Sequence, residues 1–155
     1  MEKGRNKIIL LAGVIFLSFI FFWTGSQKDN TDSKGQTDNT IPISIGQTHL
    51  QALIADTLAT RALGLGNRSN IASDQAMLFI FDTSDRYGFW MKDMRFPIDM
   101  LWLDEAKKII FIQSDVSPDS YPEVFTPSVS ARYVLETSSG FAEKNGLKIG
   151  TQVYF

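Results

Sequence analysis

The chain has 155 residues, of which 44% are hydrophobic and 21% charged, with a formal net charge of −2 and no cysteine. This length limits the folded part to one domain, and the lack of cysteine excludes disulfides, thiolate metal ligands and thiol catalysis. The weak negative charge offers no field that would attract a polyanion, and a single histidine, His49, favours neither a metal site nor a catalytic relay. We therefore predict no nucleic-acid partner, no metal and no cofactor.

The N-terminus has the pattern of an export signal. A basic segment, 1–7, precedes sixteen apolar residues, 8–23. This run lies between the core of a cleavable signal, about 7–15 residues, and a membrane-spanning helix of about 17–25. We predict an uncleaved signal-anchor, a transmembrane helix with the basic segment in the cytoplasm and the rest extracytoplasmic, either periplasmic or extracellular. If the segment is cleaved, the protein is secreted.

Residues 24–40 contain no aliphatic or aromatic side chain. Such a tract cannot offset its conformational entropy by apolar burial, so it is typical of a flexible polar linker. The folded domain is therefore predicted to occupy residues 41–155.

The apolar pattern of this domain has a short period and is bounded by turn residues. It predicts eight strands, near 41–46, 49–56, 76–81, 87–92, 97–103, 108–113, 131–136 and 151–155. Segments 56–65 and 138–146 are instead typical of short helices, the first by its apolar spacing and the second by its Asn-Gly stop. The combination indicates an all-β domain with two short helices, either a sandwich or a partly closed barrel.

Several of these segments resemble the DUF192 family, a group of small, mostly exported domains without an assigned molecular function. The resemblance covers roughly Gln47 to Phe155 and is carried by "AMLFIF", "GFWMKDMRFPIDMLWLD", "KKIIFIQ", "ARYVLETSSG" and "LKIGTQVYF". It implies an all-β, jelly-roll-like fold. The chain departs from the family pattern at Asp93-Met94, where asparagine and threonine are usual, and in "GLGNR" at 64–68, which replaces glycine-leucine-methionine-x-arginine.

The stretch "GFWMKDMRFPID", 88–99, concentrates aromatic and charged side chains. In an extended chain Phe89 and Met91 share one face, and Trp90 and Lys92 share the other. Because lysine marks the wetter face, we expect Phe89 and Met91 to fill the core. Trp90 would then form an aromatic platform at the mouth of a cavity.

Asp99 lies among apolar residues in either strand register, so its carboxylate must be paired or hydrogen-bonded. One interpretation is structural: an ion pair, or a cap that accepts backbone N–H groups after Pro97. The other is functional, with Lys92, Asp93 and Asp99 as polar guides of a ligand pocket and Trp90 as its apolar wall. Arg61, on the first predicted helix, would either reach inward to neutralise Asp99 or Glu136, or be a solvated helix residue.

The predicted ligand-binding residues are Trp90, Lys92, Asp93, Asp99 and Arg61, with no catalytic residue assigned. The chain contains no GxSxG, Walker, HExxH or GxGxxG motif. We therefore predict a membrane-tethered extracytoplasmic domain that binds a small polar ligand, a glycan or a peptide without catalysis. The alternatives are a hydrolase or lyase that acts on envelope carbohydrate through Asp93 and Asp99, and a structural module that contacts other envelope proteins.

Overall fold

The computed structural model describes residues 39–155. Seven strands and two short α-helices follow one another along the chain: β1 (Thr40–Ile45), β2 (Thr48–Ala55), α1 (Leu58–Leu63), β3 (Gln75–Asp85), β4 (Ile98–Leu103), β5 (Ile109–Val116), β6 (Ala131–Ser138), α2 (Phe141–Lys144) and β7 (Val153–Tyr154). A single 3-10 turn, Pro118–Ser120, lies in the long connection between β5 and β6.

All seven strands belong to one sheet, in the order β5-β4-β6-β3-β2-β1-β7. Neighbouring strands are antiparallel except for β2 and β3, which run parallel. A parallel pair needs a crossover connection, since a tight turn can join only antiparallel strands. The crossover here is the segment 56–74, which contains α1 and forms one wall of the site described below.

The two ends of the sheet meet. The Ile109 N–H donates to the Thr151 carbonyl (2.9 Å), and the Val153 N–H donates to the Lys107 carbonyl (3.0 Å). The sheet is therefore curled into a half-barrel. Of the two predicted architectures, the partly closed barrel is the nearer one, because the strands form one sheet and not the two packed layers of a sandwich or jelly roll.

Apolar side chains cover both faces of the sheet, as β4 illustrates, because all six of its residues are buried. On one face Met100 and Trp102 join a cluster that includes Phe89 and Met91. On the other, Leu101 joins a cluster completed by residues of β1, β2, α2 and β7. The predicted burial of Phe89 and Met91 is confirmed, as is the exposure of Trp90, which is 50% exposed.

Seven of the eight predicted strands and both predicted helices are present, with shifted bounds. The prediction of a strand at 87–92 is wrong, because this segment pairs only at an isolated bridge between Phe89 and Phe125. The Met94 N–H donates to the Met91 carbonyl (3.2 Å), so the chain turns there and does not extend along a neighbour. Asp93 has a φ of +57°, which is left-handed and not extended backbone.

The predicted basic segment 1–7, signal-anchor 8–23 and almost all of the linker 24–40 lie outside the described residues. At the domain boundary, Thr40 already belongs to β1, and the Asn39 carbonyl accepts from the Ile54 N–H (3.0 Å). The first strand therefore includes residue 40, just before the predicted boundary at residue 41. Within 39–155, the helices are too short and too polar for any of them to cross a bilayer.

Candidate functional site

A cavity of about 330 Å³ lies between the crossover segment and the chain that follows β3. Its lining comes from α1 and the loop after it, from β3, from the segment 87–94 and from β6. The lining residues are Leu58, Arg61, Ala62, Leu63, Gly64, Leu65, Gly66, Asn67, Phe79, Phe81, Tyr87, Gly88, Phe89, Trp90, Lys92, Asp93, Met94 and Glu136.

The helix α1 is fixed at its start by a capping box. The Thr57 hydroxyl accepts from the Thr60 N–H, and the Thr60 hydroxyl accepts from the Thr57 N–H. Such reciprocal bonds satisfy two of the amide groups that a helix leaves free at its N-terminus. Six residues alone would make a marginal helix, so this cap helps to hold the wall of the cavity in place.

Arg61 connects α1 to the sheet. Its Nη1 donates to the Asp56 carbonyl (2.6 Å) and to the Ile80 carbonyl (2.7 Å), and its guanidinium carbon lies 5.2 Å from the centre of the Phe81 ring. These bonds go to main-chain oxygens, so the interpretation in which Arg61 neutralises Asp99 or Glu136 is not what the structure shows. Arg61 nevertheless lines the cavity.

The opposite wall is the segment 87–94. Phe89 exchanges two backbone hydrogen bonds with Phe125, of 2.9 and 2.8 Å. The exposed Trp90 ring meets the Tyr121 ring at 5.9 Å between centroids. At the end of this wall the Asp93 carbonyl accepts from the Asn67 N–H (2.9 Å), which joins the two walls of the cavity.

The turn at Asp93 suits an aspartate. Its φ of +57° is left-handed, a conformation that asparagine and aspartate tolerate better than other non-glycine residues. Aspartate at position 93 therefore fits this turn and adds a carboxylate to the lining of the cavity.

Glu136 on β6 is the buried polar side chain among the residues that line the cavity, and we call its position the cavity floor. It is 5% exposed, and its cross-strand neighbours on either side are the buried residues Met77 and Met100. Its Oε2 has no hydrogen-bond partner. Burial raises the pKa of the Glu136 carboxyl to about 8, so the group retains its proton at neutral pH.

The other walls of the cavity are largely aromatic. Phe79 and Phe89 meet edge to face at 4.8 Å between ring centroids, and Phe81 stacks on Tyr87 at 3.5 Å. These rings and Trp90 line the same cavity as Glu136. The cavity therefore combines one neutral, buried carboxyl with aromatic surfaces, and its more polar groups lie nearer solvent.

Asp99 is the predicted site residue that the structure places elsewhere. It is fully buried, and its Oδ1 accepts from the N–H groups of Asp115 (2.8 Å) and Gly140 (3.1 Å). Its Oδ2 accepts from the Ala142 N–H (2.8 Å). Asp99 thus caps the start of α2, where Gly140 supplies no side chain, and does not line the cavity.

The structure therefore brings together four of the five predicted residues: Trp90, Lys92, Asp93 and Arg61 all line the cavity. The predicted grouping of Asp99 with them is corrected, since backbone N–H groups occupy both of its oxygens.

Sequence reasoning did not select Glu136 as a site residue. The available signal was the position of this acidic residue two places after Val134, because side chains two residues apart in a strand lie on the same face, here the one toward the core. Within 39–155, no three acidic or histidine side chains come close enough to hold a metal ion.

The fold and cavity define a class of protein, a small domain made of one curled, mixed sheet that holds a ligand-sized cavity beside its crossover helix. The chain belongs to the DUF192 family, whose model, described as "Uncharacterized ACR", matches residues 41–155.

Individual proteins are similar to this chain in sequence or in fold. A UPF0127 protein of Thermococcus gammatolerans is 31% identical over 94 residues, which are 59% of this chain and 58% of that protein, so the match spans less than two thirds of the relative. A protein of unknown function from Novosphingobium aromaticivorans has the same fold, with a TM-score of 0.71, 22% identity, and coverage of 75% of this chain and 85% of the other. A Sinorhizobium meliloti protein, described as a proposed transcription regulator, matches with a TM-score of 0.69, 25% identity, and coverage of 74% and 91%.

Proposed function

We propose that the domain binds a small organic molecule in the cavity above Glu136, without catalysing its conversion. The observation that carries the proposal is the buried carboxyl oxygen of Glu136, which has no partner. Buried polar groups in proteins are nearly always hydrogen-bonded, and leaving one unsatisfied costs about 1–3 kcal/mol. A ligand that reaches the cavity floor and bonds to Glu136 would recover this free energy.

The size of the cavity favours a small ligand over a polymer. About 330 Å³ is at the lower end of the range of roughly 300–1,000 Å³ that is typical of ligand pockets. The aromatic walls suit a ligand with an apolar body, and the Trp90 and Tyr121 rings at the rim supply further contact area. Of the predicted ligands, these features support a small molecule and do not favour a glycan or an extended peptide.

The carbohydrate-cleaving alternative loses its geometric basis. It required Asp93 and Asp99 to flank one substrate, but Asp93 lines the cavity while the Asp99 carboxylate holds three backbone N–H groups. A glycosidase of that kind needs both carboxyl groups at the scissile bond.

The structural-module alternative differs from the present proposal in a measurable way, because it predicts that filling the cavity changes nothing except stability.

Filling the cavity from α1 tests the proposal. Ala62 and Ala59 are both exposed alanines of this helix, but only Ala62 lines the cavity. We expect Ala62→Phe to abolish ligand-induced shifts of the thermal unfolding midpoint, and Ala59→Phe to leave them unchanged, because only ligand bound to the native state raises that midpoint. The measurement is a screen of the full-length chain against a library of small amines, acids, alcohols and sugars. A library that shifts neither wild type nor Ala59→Phe, or shifts that persist in Ala62→Phe, would overturn the proposal.

We also propose that residues 8–23 anchor the domain to the outer face of a membrane. The support is the apolar run itself and the basic residues before it. In a bacterial host, we expect the wild-type chain to remain in the membrane pellet after alkaline carbonate washing. Replacing Phe16 and Leu17 by lysine should release it, because each charge within a span costs about 2.5–3.5 kcal/mol. Thr31→Lys, in the polar linker, is the control, and wild-type protein in the soluble fraction would contradict the proposal.

A further inference from the structure

We infer that the molecule bound in the cavity is an organic cation, an ammonium with an apolar body, whose charge lies against the Glu136 carboxylate and the surrounding aromatic rings. The inference rests on the proposed function and specifies the chemical class of its ligand.

The first support is the acceptor at the floor of the cavity. Once ionised, a carboxylate only accepts hydrogen bonds, and Glu136 holds one oxygen, Oε2, without any donor. Its cross-strand neighbours Met77 and Met100 are thioethers, which offer no strong donor. In the free protein the proton on Glu136 avoids a buried charge, but once that proton is lost the carboxylate must be paired, and a cation supplied by a ligand is the most direct partner.

The second support is the aromatic lining. The faces of aromatic rings attract cations within about 6 Å of the ring centre, most strongly where water is excluded. The cavity already shows this property, since the guanidinium of Arg61 lies 5.2 Å from the centre of the Phe81 ring. Phe79, Phe89 and Trp90 extend the same aromatic lining around the cavity.

Arg61 is the charged group at the cavity that opposes a cation, so the charge of the ligand must lie nearer to Glu136 than to Arg61. Arg61 faces the space from α1, where two backbone carbonyls hold its Nη1. Lys92 and Asp93 face it from the opposite wall, but both are exposed and carry opposite charges on adjacent residues. Solvent screens such charges, so the combined electrostatic effect of Lys92 and Asp93 at the cavity floor is small. The Tyr87 side chain also lines the cavity from this wall.

Cation binding must be coupled to the loss of one proton. The free protein holds the Glu136 carboxyl protonated at neutral pH because burial raises its pKa to about 8. Binding a cation converts Glu136 from the acid to the carboxylate, and the released proton passes to the buffer. Since the ionised fraction of the group rises about tenfold between pH 7 and pH 9, the association constant for a permanent cation should rise by the same factor.

The test uses three probes that share one aromatic ring: benzyltrimethylammonium, which has a fixed positive charge, benzyl alcohol and benzoate. Isothermal titration of the full-length chain at pH 7 and pH 9 should show binding of the ammonium, about tenfold tighter at pH 9. Titrations at pH 7 in two buffers of different ionisation enthalpy should show release of nearly one proton per ligand.

Variants separate the role of Glu136 from general effects of charge. We expect Glu136→Gln to bind benzyltrimethylammonium at least tenfold more weakly than wild type at pH 9, with no remaining pH dependence. Glu143→Gln removes an exposed carboxylate of α2 that does not line the cavity, and it should behave as wild type.

The outcomes distinguish this inference from the proposed function. If benzyl alcohol or benzoate binds in an Ala62-sensitive manner and the ammonium does not, the ligand is not a cation, although the cavity is still a binding site. If no probe binds, the inference is overturned, and the library screen decides whether the proposed function falls with it. Cation binding that is as strong in Glu136→Gln as in wild type also overturns the inference.

Discussion

Glu136→Gln is expected to stabilise the domain at neutral and alkaline pH while leaving its stability near pH 4.5 almost unchanged. The folded state keeps the Glu136 proton up to about pH 8, whereas the unfolded chain releases it near pH 4.5. Between these values the folded state binds more protons than the unfolded state, so the free energy of unfolding falls as the pH rises. Glutamine is neutral in both states and removes this loss.

The size of the effect follows from the interval between the two pKa values. Between these values, each rise of one pH unit lowers the free energy of unfolding of the wild type by about 1.4 kcal/mol. The free energy of unfolding of the variant should therefore exceed that of wild type by about 3 kcal/mol at pH 7 and by roughly 5 kcal/mol above pH 8. Urea unfolding of both proteins at pH 5, 7 and 9 measures this difference, and Glu143→Gln is the matched control at an exposed glutamate. A variant whose advantage over wild type does not grow with pH would show that Glu136 is ionised in the folded domain.

Asp99→Asn is expected to produce the opposite result, a loss of about 3–5 kcal/mol in the free energy of unfolding at pH 7. The Asp99 carboxylate accepts three backbone N–H groups inside the domain. An amide nitrogen in place of either oxygen would face an N–H donor, which breaks at least one charge-assisted bond and leaves donors unsatisfied. The start of α2 and the connection at Asp115 should both lose their fixed positions.

Asp104→Asn provides the comparison, because the Asp104 carboxylate accepts a single backbone N–H, from Lys108 (2.8 Å), at a turn that is not buried. We expect this variant to lose about 1 kcal/mol or less. Chemical unfolding of both variants beside wild type measures the difference. Equal effects at the two positions would mean that the bonds to Asp99 add nothing beyond an ordinary turn contact.

The sequence predicted much of the fold because burial follows local periodicity. The alternation of Phe89 and Met91 with Trp90 gave the correct inner and outer faces, although the segment is not a strand. Side chains of an extended segment point to alternate faces whether or not another strand is hydrogen-bonded to it. The pattern therefore predicts which side chains are buried, but not whether the segment belongs to a sheet. The left-handed turn at Asp93, which ends the extended stretch, has no periodic signal.

The candidate site could be predicted only in part, for a reason of a different kind. Residues of the motif 88–99 are close in sequence, and half of them line the cavity. Asp99 leaves the group because β4 carries it to α2, and Glu136 joins because β6 pairs with both β3 and β4. Such long-range register depends on the tertiary arrangement of strands, which one sequence without relatives does not reveal.

The hydrogen bonds between the two ends of the sheet also bear on aggregation. Exposed edge strands present unpaired N–H and C=O groups that recruit strands from other molecules. Here β7 has only two residues, and the segment 150–153 is joined to 107–109. The curl therefore shortens both edges, and it leaves two places for strand addition by another chain: the remaining outer edge of β5 and residues 40–43 of β1, which β7 does not cover.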